Sequence, residues 1–154
     1  MAWERPEKGW TNCFAWGIVT ALAVMALGGV LRPPQIDMPL TELLRERASL
    51  VWVGCFAITL GPLWEELAFR GFLMPLLVRS LTVAPAILLT ALLFAGLHGP
   101  EYAWSWKHLA LITVAGTAFG WMRHHASSTA AATVMHAGYN LVFFLGILVP
   151  RPVP

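Results

Sequence analysis

Residues Cys13 to Leu31 read CFAWGIVTALAVMALGGVL and contain no charged side chain. A helix of about 20 apolar residues is long enough to cross the hydrocarbon core of a bilayer. The stretch lacks the strict alternation of apolar and polar residues that marks the strands of a membrane barrel. It therefore predicts a membrane-spanning α-helix. Pro33 and Pro34 end this helix, since proline removes a backbone donor and fixes φ.

The composition of the whole chain also indicates a protein that lies in a lipid bilayer. Apolar residues make up 58% and charged residues 12% of the 154 residues, and the mean hydropathy is +0.67. A soluble domain usually carries about twice that charge, so lipid is the predicted partner of the outward-facing side chains. The net charge of +2 forms no pronounced cluster, which excludes a nucleic-acid footprint. Cys13 and Cys55 make neither a metal motif nor a disulfide framework.

Further apolar segments follow the first one along the chain. They cover residues 48–64, 81–97, 109–122 and 129–149. Gly61-Pro62 predicts a kink, and the short run up to residue 79 either continues a kinked helix or turns back as a re-entrant elbow. The first segment is longer than the apolar part of a cleaved signal, which favours an uncleaved span over cleavage. We therefore predict an all-α, polytopic bundle of about five spans in a single domain, residues 1–154, with no prediction of oligomeric state.

Ionisable and polar side chains recur in these apolar segments in three short patterns. The patterns are Glu65-Glu66-x-x-x-Arg70, Phe94-x-x-x-His98 and His136-x-x-x-Asn140. An ionised side chain at mid-membrane costs about 2.5 to 3.5 kcal/mol on insertion scales, so such residues are functional candidates by default. On a helix, Glu66 and Arg70 are four residues apart and can form an ion pair. Glu65 then points about 100° away from Glu66.

These residue types suit the hydrolysis of a peptide bond, which needs an activated nucleophile and donors for the oxyanion. Glu65 and His98 could hold a water molecule and remove its proton as general bases. His136 and Asn140 could donate hydrogen bonds to the developing oxyanion. The remaining pattern residues would support this set; they are Glu66, Arg70 and Phe94.

Other interpretations of the same residues stay open at this point. Glu66 and Arg70 could form a purely structural ion pair, and His136 and Asn140 could make bonds between helices in a non-catalytic immunity or scaffold protein. Glu65, His98 and His136 could also be three zinc ligands. Because there is no H-E-x-x-H helix and Asn140 would have no role as a ligand, we predict neither a metal nor another cofactor.

The three ordered patterns, within residues 61–149, resemble the CAAX prenyl protease and bacteriocin-processing (CPBP) family, which includes the type II CAAX endopeptidases. The resemblance implies a helical intramembrane glutamate protease acting on a membrane-associated protein or peptide, in the cytoplasmic membrane of a bacterium. It gives Glu65 the role of catalytic base with His98, and places the oxyanion site at His136 and Asn140. The prenyl-protein enzymes of the family usually have more helices, so the resemblance leaves open whether the substrate is prenylated.

Overall fold

The computed structural model describes residues 3–6, 9–36 and 46–149, and their regular structure is entirely helical. The predicted all-α class is therefore confirmed. Within these described residues there are five helical passes, of which the second is divided into several pieces. In chain order, the elements are α1 (Trp10–Leu31), α2 (Arg47–Ile58), α3 (Leu60–Glu66), a π-helical segment (Leu67–Leu73), α4 (Met74–Val78), α5 (Val83–Leu97), α6 (Trp106–His125) and α7 (Thr129–Leu148).

The second pass runs without reversal from Arg47 to Val78, so residues 61–79 continue a kinked helix and do not form a re-entrant elbow. The break between α2 and α3 lies at Thr59, whose φ of −117° and ψ of −75° depart from helical values. Pro62 lies just beyond this break and has no N–H to donate to the preceding turn. The π-helical segment follows directly after Glu66 and carries Arg70.

Three helical stretches are long and apolar enough to cross a membrane, namely α1, the run Arg47–Val78 and α7. Helix α5 is apolar but has only 15 residues. Helix α6 has 20 residues and carries basic side chains at both ends. Large apolar side chains on the outside of the bundle, such as Trp52, Phe72 and Leu97, are 63–76% exposed. Such a surface matches lipid and not water, which makes the chain a membrane protein.

The helices alternate in direction, and two contacts between chain segments mark the ends of the bundle. At one end, Lys107 Nζ donates to the Arg32 carbonyl oxygen over 3.3 Å. At the other end, the Ser128 hydroxyl donates to the carbonyl oxygen of Glu4. His98 caps the C-terminus of α5 and therefore lies toward the end marked by Lys107 and Arg32.

Helices α1 and α7 cross in backbone contact. A Cβ atom at Gly17 would overlap the Met135 carbonyl oxygen, and one at Gly138 would lie 2.5 Å from the Phe14 carbonyl oxygen. Small residues permit this kind of close approach between membrane helices. The adjoining core is built from buried side chains of α1, α6 and α7, among them Cys13, Val24, Leu111, Phe119 and Met135. Helix α7, which carries His136, is thereby fixed against α1.

This crossing gives a prediction for Gly17. We expect Gly17→Ala to lower the free energy of unfolding by about 1 to 3 kcal/mol, because the added methyl group must push two backbones apart. Gly29 lies on the same helix with nothing within 4 Å of an added Cβ. Gly29→Ala should therefore leave stability unchanged or raise it by about 0.5 to 1 kcal/mol. Thermal unfolding in detergent compares the two variants, and equal melting temperatures would contradict the packing described here.

Candidate active site

A fully buried ion pair lies at the centre of the bundle. Arg70 Nη1 donates to Glu66 Oε1 over 2.9 Å, and neither side chain is exposed. The predicted pair between residues four apart is therefore present. Arg70 also donates from Nη2 to the Gly116 carbonyl oxygen of α6 over 2.7 Å. The guanidinium carbon lies 4.7 Å from the ring centre of Phe94, where the face of an aromatic ring attracts a cation.

The imidazole of His136 lies between the two glutamates. Its Nδ1 is 3.0 Å from Glu66 Oε1, and its Nε2 is 3.7 Å from Glu65 Oε2. A carboxylate accepts hydrogen bonds, so Nδ1 carries the proton that is donated to Glu66. The ring of Phe119 stacks on the imidazole with centroids 4.3 Å apart. His136 is thus held by a hydrogen bond at one edge and by an aromatic ring on one face.

The two carboxylates have different surroundings. Glu66 is completely buried, whereas the side chain of Glu65 is 36% exposed. This difference follows from their neighbouring positions on one helix, which turn the side chains about 100° apart. Glu66 faces the interior and Arg70, and Glu65 faces the open side of the site beside His136. Glu65 is therefore the more accessible of the two carboxylates.

The second histidine of the site is held by its own helix. His98 Nδ1 is 2.9 Å from the Phe94 carbonyl oxygen, so this nitrogen donates its proton and Nε2 keeps a free lone pair. The Phe94 ring contacts both imidazoles, with centroids 4.7 Å from His98 and 5.9 Å from His136. Glu65 is 3.7 Å from His136 and also interacts electrostatically with His98.

Asn140 makes a contact that its sequence pattern does not indicate. Its Nδ2 donates to the Ala57 carbonyl oxygen of α2 over 2.7 Å. The side chain therefore connects α7 with the second pass, whose next helix, α3, carries Glu65 and Glu66. The two N–H bonds of the amide are the only donors of this side chain, and one of them is engaged with the backbone.

A comparison with family models matches residues 47–142 of the chain to the type II CAAX prenyl endopeptidase Rce1-like family. The matched range is more than half of the chain and contains all of the predicted site residues. The chain belongs to the Rce1-like family. Membership assigns it to the CAAX-type intramembrane proteases as a class and supports the predicted CPBP relationship. Searches of curated proteins and of solved structures give no match.

The Rce1-like match begins at α2, yet α1 forms a large part of the structure around the site. Helix α1 precedes the matched residues and packs along α7 through Gly17 and Gly138. The position of His136 in this Rce1-like protein therefore depends on a helix outside the matched range. Sequence patterns within the range 61–149 gave no indication of that dependence.

Three contributors to the site of this Rce1-like protein were missed by the sequence patterns. They are the Gly116 carbonyl, the Phe119 ring and the Ala57 carbonyl. A backbone carbonyl leaves no trace in residue identity, and one apolar ring resembles any other in a membrane helix. Gly116 alone carries a signal: with Gly120 it forms a pair of small residues four apart, and a Cβ at Gly116 would lie 3.1 Å from Arg70 Nη2.

Among residues 3–6, 9–36 and 46–149, no three side chains of His, Cys, Asp or Glu are grouped as a metal site would need. In the described part of the chain, both nitrogens of His136 face carboxylate oxygens. This arrangement suits proton sharing between acid and base groups.

Proposed function

We propose that the chain is an intramembrane endopeptidase that hydrolyses a peptide bond of a membrane-associated protein or peptide. A water molecule activated by Glu65 and His98 would be the nucleophile. The observation that carries the proposal is the partly exposed Glu65 carboxylate, 3.7 Å from a buried His136 that is itself held by Glu66. Such a chain of ionisable groups is costly within lipid-embedded helices, which makes it a functional candidate by default.

The proposed reaction begins with a water molecule at Glu65. The carboxylate removes a proton from the water while the water oxygen attacks the carbonyl carbon of the scissile bond. His98 accepts a hydrogen bond from the same water at Nε2, because its Nδ1 proton is engaged with Phe94. Collapse of the tetrahedral intermediate breaks the C–N bond, and Glu65 returns the proton to the leaving amine.

His136 would stabilise the negative charge that develops on the carbonyl oxygen. In its doubly protonated form it donates Nδ1–H to Glu66 and directs Nε2–H toward the open side of the site. With His136 in that form and both carboxylates ionised, two positive and two negative side chains would balance each other. A preorganised donor of this kind is typically worth about 2.7 to 4 kcal/mol of barrier.

Glu66, Arg70 and Phe94 would support the reaction without touching the substrate. Glu66 orients the imidazole of His136, as carboxylates do for histidines in many active sites. Arg70 compensates the buried charge of Glu66, and the Phe94 ring separates the two imidazoles while contacting both. We assign no metal and no other cofactor to the reaction.

The membrane setting of the site supports a proposal for the substrate and the location. We propose that the scissile bond belongs to a protein or peptide held at the cytoplasmic membrane of a bacterium, with membrane lipid as the surrounding partner. A prenyl group on the substrate is not part of the proposal.

The proposal is tested by comparing peptide termini in membranes. We expect membranes of cells that produce the chain to contain new termini, identified by mass spectrometry, which are absent without it. Cells producing His98→Ala should lose these termini. A matched control is His124→Ala, because His124 is exposed at the end of α6.

A non-catalytic immunity or scaffold function predicts a different outcome. In that case His98→Ala and His136→Ala would protect cells from a bacteriocin as well as the parent does. No new peptide terminus in the membranes would then depend on the chain. This result would replace the endopeptidase proposal with the binding function.

A further inference from the structure

One face of α7 lies along the second pass of the chain through three contacts. His136 bonds Glu66, and one turn later Asn140 bonds the Ala57 carbonyl. One turn further, the ring of Phe144 fills the space above Gly54, where an added Cβ would overlap it. We call these three contacts the α7 seam. Asn140 occupies its middle position, between the candidate catalytic groups and an apolar contact.

The Ala57 carbonyl belongs to the last turn of α2, where the helix is interrupted. Helix α2 ends at Ile58, and Thr59 has a distorted helical conformation with a φ of −117° and a ψ of −75°. Pro62 has no N–H, so the carbonyl of Ile58 lacks its usual partner four residues ahead. The Thr59 hydroxyl bonds the Cys55 carbonyl over 2.6 Å, which also ties down this turn. Lipid offers no hydrogen bonds to carbonyls at such a break, so side chains must supply them.

We propose that Asn140 is a positioning residue, which fixes the broken helix carrying Glu65 and Glu66 against the helix carrying His136. The inference rests on the proposed function for its catalytic consequence. Its basis is the direction of the amide, which donates to the Ala57 carbonyl over 2.7 Å. Asn140 thus sets the angle at the break near Thr59, and through it the distance between the carboxylates and the imidazole.

The size of the expected effect separates this role from direct stabilisation of the oxyanion. Loss of one oxyanion donor slows catalysis about a hundredfold to a thousandfold. Loss of a single hydrogen bond between membrane helices changes an equilibrium by about threefold to twentyfold. We expect Asn140→Ala to lower cleavage by the smaller factor and to speed hydrogen exchange at the amides of residues 55–61. Asn140→Leu has nearly the same size and no donor, so it should give the same result and replaces the Ala variant if that variant does not accumulate.

Thr133→Val is the matched control for the loss of a polar group from α7. The Thr133 hydroxyl bonds the Thr129 carbonyl of its own helix over 3.0 Å and makes no bond to the second pass. This variant should leave both cleavage and exchange at residues 55–61 unchanged. The hydrogen-exchange measurement needs no substrate. It therefore tests the hydrogen bond from Asn140 to the Ala57 carbonyl even if the chain does not cleave peptides.

A cross-link decides between the two roles of Asn140. Gly54→Cys and Phe144→Cys, in a Cys55→Ser background, place two thiols across the apolar end of the α7 seam. Oxidation or a short bis-methanethiosulfonate links the two thiols. The reference cleavage rate is that of the cross-linked protein that keeps Asn140. Closing the link in Asn140→Ala should restore cleavage to that reference, since the link replaces the lost tether. A closed link without recovery would overturn the positioning role and assign the amide to the substrate.

Discussion

Glu65→Gln is expected to lower the rate of peptide cleavage by about a hundredfold to ten-thousandfold, the contribution of a positioned general base. The amide keeps the size of the side chain but cannot take a proton from water. Because Glu65 is 36% exposed and its charge is not paired with Arg70, the substitution should leave the fold intact. The measurement is the turnover of a membrane peptide by purified protein in proteoliposomes.

Glu46→Gln serves as the control for removing a carboxylate from the same helical pass. Glu46 is exposed at the start of α2, where it accepts a hydrogen bond from Ser49 over 3.2 Å. The Glu46→Gln variant should cleave the peptide at the same rate as the parent. If Glu65→Gln were well inserted, folded and as active as Glu46→Gln, the base would have to be sought elsewhere.

Arg70→Leu is expected to produce the largest loss of stability in the chain, about 3 to 5 kcal/mol of the free energy of unfolding. The substitution leaves the carboxylate of Glu66 buried without its cation and leaves the Gly116 carbonyl without its donor. Both groups lie where neither water nor lipid can replace the lost partner. Thermal unfolding in detergent, followed by the loss of helical circular dichroism, measures the effect.

Two further variants separate the buried charge from the loss of a large side chain. Arg47→Leu removes an exposed guanidinium from the start of α2 and should change stability by less than about 1 kcal/mol. Combining Arg70→Leu with Glu66→Gln should recover much of the lost stability, since a neutral amide can still accept the proton of His136. A double variant that is less stable than Arg70→Leu alone would refute this explanation.

Local sequence spacing was sufficient to predict the features that depend on one helix. The uncharged run Cys13 to Leu31 predicted the first pass, and Gly61-Pro62 predicted an irregularity that the structure places at Thr59. The pair of Glu66 and Arg70 followed from a separation of four residues. Such contacts are fixed by the geometry of a helix, so they need no knowledge of its neighbours.

The partners across helices could not be predicted in this way. The patterns predicted that Glu65, His98 and His136 converge, with Asn140 directed at the substrate. The structure adds two contacts that residue spacing does not contain, from Glu65 to His136 and from Asn140 to the Ala57 carbonyl. The catalytic roles of these residues stay a prediction. Their neighbours depend on how far each helix is rotated and shifted along the others, which residue spacing within one helix does not contain.

The sequence by itself determined a helical membrane bundle with ionisable groups at defined positions on its helices, because hydropathy and helical periodicity are local properties. The tertiary structure alone decided which of those groups meet. It did so through the α1–α7 crossing at Gly17, the break at Thr59 and the approach of Gly116 to Arg70. Each is a packing contact between segments far apart in sequence, and close packing allows only one combination of helix rotations that satisfies them together.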